Sequence, residues 1–379
     1  MNAWGNATAR FAVAMLVLSL AGCSLFGGAS KPKPAELGAN VPIFGIRQAW
    51  SSRIGGEVQF PLEVHVNGPV VFLASSDGTM AAVDARTGRD LWRLNVGAPI
   101  AAGVGSDGKI GAVVTRGNDV VAVEAGRELW RAKLPAQAYA APLVAGNRVF
   151  VLTADRSVSA FDGQTGRRLW SQQRPGEPLV LRQAGVLMAV RDTLVTGLSG
   201  RLAGLNPGNG TVRWEVPIAS PRGTNDVERL VDLVAPVSRV GSSVCARAFQ
   251  AAIGCVDTSR GMMLWTKPAN GFSGIDGDAA MVFGTENNGT VVAWRRTDGE
   301  RAWSSERLQY RQLTAPLLLG RSVVIGDNAG LVHLLSREDG APLNRLTTDG
   351  SPIASAPVTA DDTLVVVTRN GNVYGFRPG

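Results

Sequence analysis

The chain predicts an all-β fold, an eight-bladed β-propeller of four-stranded antiparallel blades, and three observations carry that reading. Its 379 residues include 46 Gly and nine Trp; one pattern ending in Trp recurs along most of its length; and that pattern is incomplete at the two ends in complementary ways. One residue in eight is Gly, too many for a helical bundle and without the triplet period of collagen. A hydrophobic content of 45% argues against disorder. His65 and His333 are the only imidazoles, which excludes His-rich metal sites and obliges any Ser-His-Asp triad to use one of the two. Basic residues outnumber acidic ones by 38 to 31, but pairs such as Arg167-Arg168 and Arg295-Arg296 are spread along the chain. That is a solvated basic surface with a mild preference for acidic partners, and nucleic acid is not expected.

The repeat is plain when the copies are aligned. DGTMAAVDARTGRDLW, from residue 77, recurs as DRSVSAFDGQTGRRLW from 155, SGRLAGLNPGNGTVRW from 199, QAAIGCVDTSRGMMLW from 250 and NGTVVAWRRTDGERAW from 288. A shortened copy ends at Trp130, and another keeps Gly340 but has Asn344 where Trp is expected. Within 140–173, the runs AAPLV, RVFVLT, SVSAFD and RRLWSQQ alternate apolar and polar residues between turn signals, which makes four short strands. Gly88, Gly126, Gly166, Gly210, Gly261, Gly299 and Gly340 occupy a turn position suited to positive φ. Asp84, Asp162, Asn206 and Asp257 open the same turn, where a short side chain can accept a backbone bond from two residues on.

A four-stranded sheet cannot cover both its faces alone, and a period near forty residues is that of stacked propeller blades. The Trp supplies the contact between them: an indole buries about 150–250 Å², worth on the order of 4–6 kcal/mol, so Trp170→Ala is expected to cost about 3–5 kcal/mol. Repeat ends fall at Trp92, Trp130, Trp170, Trp214, Trp265, Trp303 and Asn344. The last segment, NGNVYGFRPG, begins an eighth copy and stops before its Gly and Trp. Trp50, with no repeat start ahead of it, is the missing end. A strand around Gln48–Ser52 should therefore complete the blade begun at the C-terminus and close the ring, removing an open sheet edge. Of the remaining Trp, Trp4 precedes the repeats and Trp294 lies within a strand. The domain reading is a leader over residues 1–22, a flexible tether over 23–40 and the propeller over 41–379.

The leader is read from Phe11 to Gly22, an apolar stretch after Arg10 that spans about 18 Å as a helix, too short to cross a membrane and suited to a signal peptide. It ends in Leu20-Ala21-Gly22-Cys23, which resembles the bacterial lipobox, so Cys23 is the expected lipidation site, with Ser24 after it matching the outer-membrane sorting pattern. Lipid would hold the domain at a membrane surface without crossing it. Cys245 and Cys255 then remain, in two apolar runs around a turn near Gln250 that sets them nearly opposite. A cross-strand disulfide and two buried thiols both fit.

Spacing between repeat ends runs 42, 38, 40, 44, 51, 38, 41. The long interval marks an insertion between Trp214 and Cys245 that holds Glu228-Arg229-Leu230-Val231-Asp232. One blade earlier the equivalent connection holds Glu177-Pro178-Leu179-Val180-Leu181-Arg182. Both link a last strand to the next blade's first, so they emerge side by side on one face, and Leu and Arg beside acids suit a protein interface. Leu179 and Leu181 can also be read as the start of an inner strand.

The lipobox, the tether and the A-x-D-x-x-T-G-x-x-x-W repeats together resemble the BamB family, lipoproteins of the machinery that inserts β-barrel proteins into the Gram-negative outer membrane. The resemblance covers essentially the whole chain. Leu179-Val180-Leu181-Arg182 is similar to the family's Leu-x-Leu-Arg loop, and Arg229 and Asp232 fall in its acidic-Arg-Leu-x-Asp loop. In the family these loops dock on the periplasmic domains of BamA, so the resemblance implies Leu179, Leu181, Arg182, Arg229 and Asp232 as partner-binding residues. The family's second acid is Val234 here. It further implies a scaffold on the periplasmic face of the outer membrane, with no catalysis and no cofactor, and contact with nascent outer-membrane chains as a further hypothesis.

Two other classes share the architecture. Pyrroloquinoline quinone dehydrogenases have similar repeats but commonly hold the quinone with an adjacent Cys-Cys disulfide and Ca²⁺ on clustered carboxylates. Here the cysteines are ten apart, and Asp276 and Asp278 in GIDGDAA, the nearest candidate, read as a hairpin turn. A glycan- or peptide-binding propeller would present aromatics at loop tips, for which Tyr139 and Tyr310 are the candidates.

Overall fold

A computed structural model of the chain describes residues 32–58, 63–175, 179–221, 223–226 and 229–379. The leader and Cys23 lie outside them, as do Glu177, Pro178 and Glu228. Eight four-stranded sheets, each antiparallel, form the blades. Blades 1–7 take four consecutive strands each, from β2–β5 (His65–Asn67, Val70–Ala74, Thr79–Asp84, Asp90–Asn95) to β26–β29 (Leu317–Leu319, Ser322–Gly326, Leu331–Ser336, Pro342–Thr347). Blade 8 joins β30–β32 (Val358–Ala360, Thr363–Val367, Asn372–Pro378) to β1 (Ile46–Arg53). Trp50 lies opposite Gly375 in that pairing, so the ring closes through the strand expected for it.

Unbroken burial along the inner strands marks the core. The second and third strands of each blade are buried on both faces, as in β3 and β4, and pack against neighbouring blades. The fourth strand is half exposed, as in β13 (Arg168–Gln173). Its Trp reaches forward: Trp50, Trp130, Trp170, Trp265 and Trp303 each donate from Nε1 to a carbonyl in the next blade, at Ala85, Gly163, Pro207, Arg296 and Arg337. Each carbonyl lies three residues before that blade's turn glycine. All seven glycines have positive φ, from 64° to 76°, and a Cβ on any would come within 3.0 Å of the preceding blade's Trp. Gly is thus required twice, by conformation and by contact. Asp162, Asn206 and Asp257 accept the bonds expected of them, from the N–H groups of Gln164, Gly208 and Ser259.

Two expectations need correction. Trp130 and Trp265 are buried, at 8% and 7% exposure, whereas Trp50, Trp92, Trp170, Trp214 and Trp303 are half-buried because the outermost strand leaves one ring edge in water. The expected cost of Trp170→Ala falls accordingly. The tether is also shorter than composition indicated: the compact unit begins at Ala35. Asn40 donates to the Arg345 carbonyl and the Ile43 N–H to that of Leu343, and the Leu37 side chain packs on the core beside Leu308 and Leu313. Pro and Gly content marks a lack of regular structure, which extended chain bonded to a sheet edge also satisfies.

Candidate functional site

The two loops singled out above are the connections from β13 to β14 (Leu187–Val190) and from β17 (Val212–Pro217) to β18 (Leu233–Val240). Each runs from a blade's fourth strand to the first strand of the next, so both lie on the same face of the disc, together with the turns between second and third strands. Gly185 and Val234 form an antiparallel bridge, and the Ala235 N–H donates to the Ala184 carbonyl at 2.9 Å. The loops are one structure.

Asp232 makes the junction. Its Oδ2 accepts the Leu181 N–H at 2.9 Å, and its Oδ1 lies 3.5 Å from Arg156 Nη1. Arg156 Nη2 in turn donates to the Leu179 carbonyl at 3.0 Å. Arg156 is 6% exposed, so this charge pair is shielded from water and holds both loops against blade 3. Leu179 is left 42% exposed, while Leu181 is half-buried, walling a cavity of about 60 Å³ with Tyr139, Leu152 and Leu233. Neither leucine belongs to a strand.

The remaining site residues separate. Arg182 is exposed and lines a wider cavity of about 1210 Å³ at the middle of the same face, with Glu63, Asp276 and Arg369. Burial pushes the Glu63 carboxyl up to about 7, against a bond from the Ala141 N–H. Arg229 is half-buried, its N–H donating to the Asn225 carbonyl. Val234, in the place of the family's second acid, is 2% exposed within β18; no polar contact with a partner can be made from there.

Sequence reasoning missed Arg156. The signal was present: Arg156 has φ 64° in the turn between second and third strands, where other blades place Gly78, Gly200, Gly289, Gly330 and Gly371, also at positive φ. A bulky side chain where glycine is preferred marks a position kept for what the side chain touches.

Cys245 and Cys255 are opposed on β19 (Ser243–Ala248) and β20 (Ala252–Asp257) and joined in a disulfide, with Arg296 Nη1 3.2 Å from Cys245 Sγ. Asp276 and Asp278 divide. Asp276 belongs to β22 (Ile275–Gly277) instead of a turn and accepts the Leu318 N–H; Asp278 forms the turn, accepting from Ala280 and Met281 and pairing with Arg337. Both are committed to the scaffold. Tyr139 is half-buried in the small cavity, and Tyr310 is 42% exposed on another connection.

The sequence profile described as "Outer membrane protein assembly factor BamB" matches residues 47–305. The chain belongs to this family. A BamB of Burkholderia pseudomallei is 38% identical over the full length of both chains, and one of Bordetella pertussis is 36% identical over 95% of each. Among solved structures, BamB from Moraxella catarrhalis superposes with a TM-score of 0.80 at 23% identity, covering 88% of this chain and 100% of that one. A quinohemoprotein alcohol dehydrogenase of Pseudomonas putida reaches 0.70 at 13% identity over 90% of this chain and 77% of its own. These two likenesses establish the propeller; the BamB relatives and the family profile separate it from the dehydrogenases.

Proposed function

We propose that this protein is a non-enzymatic, lipid-anchored scaffold on the periplasmic face of the outer membrane, which binds the periplasmic domains of BamA and assists the insertion of β-barrel proteins. One observation supports the binding site above others: two connections from neighbouring blades are fixed into a single surface by Asp232 and Arg156, with Leu179 exposed at its edge and Arg182 beside it. An apolar anchor next to an exposed cation suits an acidic-rimmed partner surface. Asp232 then acts by holding the loops, and Leu179, Leu181 and Arg182 do the touching. Lipid at Cys23 rests on the lipobox, outside the described residues. The propeller's strands are used in stacking, and its two imidazoles in packing. His333 bonds Asp327 in the interior, and burial, ahead of the opposing pull of Asp107 and the Ser106 backbone, lowers the pKa of His65.

The test is copurification of BamA with full-length protein carrying Leu179→Ala and Arg182→Glu. Both residues are exposed, so folding is retained and BamA should be lost. A folded double variant that still retains BamA refutes the site.

A further inference from the structure

The segment ahead of the first strand fixes the face of the disc on which the propeller unit begins, at Ala35. Ala35 is held by three hydrogen bonds to its main-chain groups: its N–H donates to the Gln309 carbonyl at 2.9 Å, and its carbonyl accepts from the Arg311 side chain, Nε and Nη2, at 3.1 and 2.9 Å. Arg311 is itself locked, with Nη1 3.0 Å from Oδ2 of buried Asp327, which also bonds His333 Nε2. From there the chain descends the outer edge of blade 7. Gly38 accepts from Arg345 Nη2, Asn40 donates to the Arg345 carbonyl, Ile43 to that of Leu343, and the Phe44 carbonyl accepts from Asn344 Nδ2. The carbonyls that accept from the strap step back from Arg345, at Asn40, to Leu343, at Ile43, so the strap runs antiparallel to β29 (Pro342–Thr347).

That direction decides the face. Gln309 and Arg311 lie between β25 (Arg301–Ser305) and β26, a connection of the same kind as the two candidate loops, from a fourth strand to the next blade's first. Asp327 sits in the turn between second and third strands of blade 7, as Arg156 does in blade 3. The strap therefore begins on the loop-bearing face and ends on the other.

We infer that the loop-bearing face is the face turned toward the membrane, so that the partner surface it meets lies in the layer next to the lipid. The inference rests on lipid at Cys23, proposed above. Ala35 lies twelve residues after Cys23, a reach of at most about 42 Å from the loop face. Any point on the opposite face lies further along by the height of a blade, about 20 Å for a six-residue strand. The loops are thus held within about 42 Å of the lipid, and the opposite turns only within about 62 Å.

The experiment uses lipidated full-length protein on liposomes containing a quencher lipid, with one fluorophore at Gln250→Cys or at Arg260→Cys. These exposed turns lie on the loop face and the opposite face of blade 5. Quenching should be at least about twofold stronger at position 250, given the ~20 Å between faces. Equal or reversed quenching overturns the inference. So does a contrast that survives a flexible insert of about twenty residues between Pro34 and Ala35, because orientation would then come from something other than the strap. Flotation with liposomes, lost in Cys23→Ala, checks the anchor separately. Protein that does not float sinks the lipid reading and this inference with it; protein that floats with equal quenching sinks this inference alone.

Discussion

Seven of the eight junctions between blades are built alike, and the one between blades 7 and 8 is not. At the seven, a Trp from one blade lies on a left-handed glycine of the next. At the eighth, Asn344 replaces Trp and bonds the Phe44 carbonyl and Asn40 of the strap. The difference follows from where the chain opens. The glycine always sits in the turn between third and fourth strands, and blade 8 has none, because its third strand is β32 and its fourth is β1. With no glycine to receive an indole, the junction is served by a polar side chain that pins the strap. The departure from the repeat is a consequence of closing the ring.

The largest expected effect is at a buried latch. Trp265→Ala should lower stability by about 3–5 kcal/mol, read as a shifted denaturant midpoint, and half-buried Trp170→Ala by about 2 kcal/mol. Equal losses at the two would break the link between burial and latch strength. Gly299→Ala follows, at about 1–3 kcal/mol, because a Cβ there meets the Trp265 ring at a φ of 70°. Restoring the repeat at the odd junction should do harm: Asn344→Trp is expected to cost about 1–2 kcal/mol by displacing the strap. A stabilised Asn344→Trp protein would show that the missing Trp is accidental.

The smallest effect is at the closing junction between blades 8 and 1, and it depends on pH. Burial works against ionisation of Asp77, but bonds from Ser75 Oγ and the N–H groups of Thr79 and Gly56 outweigh it and hold the carboxyl at about 2, below its ordinary 3.8. A depressed carboxyl stabilises the fold above its unfolded pKa and loses that contribution as pH falls from about 4 to 2. Asp77 is exposed, so the contribution is at most about 1 kcal/mol. Wild type should lose melting temperature over that window relative to Asp77→Asn; parallel acid titrations of the two would remove Asp77 from the closure.

The blades were legible because they repeat. Trp50 and the incomplete last copy revealed the closure, and seven glycines at one offset revealed their φ. The loop face was legible only in part. Leu179 and Leu181 could be placed on a connection, but the bonds from the Asp232 carboxylate to the Leu181 N–H and to Arg156 could not. Nothing local distinguishes a carboxylate aimed outward from one that accepts a backbone N–H fifty-one residues away. The strap leaves no local trace for the same reason, since its partners lie about three hundred residues further along.

Sequence by itself determined the number of blades, the strand that closes the ring and the latch residues, because each follows from short-range periodicity copied many times. Tertiary structure decided what occurs once: which side chains join the two loops, why Asn344 stands where Trp is expected, and on which face the strap begins. A repeated pattern states its contacts through its own period, whereas a single long-range contact has no periodic trace and exists only when the chain is folded.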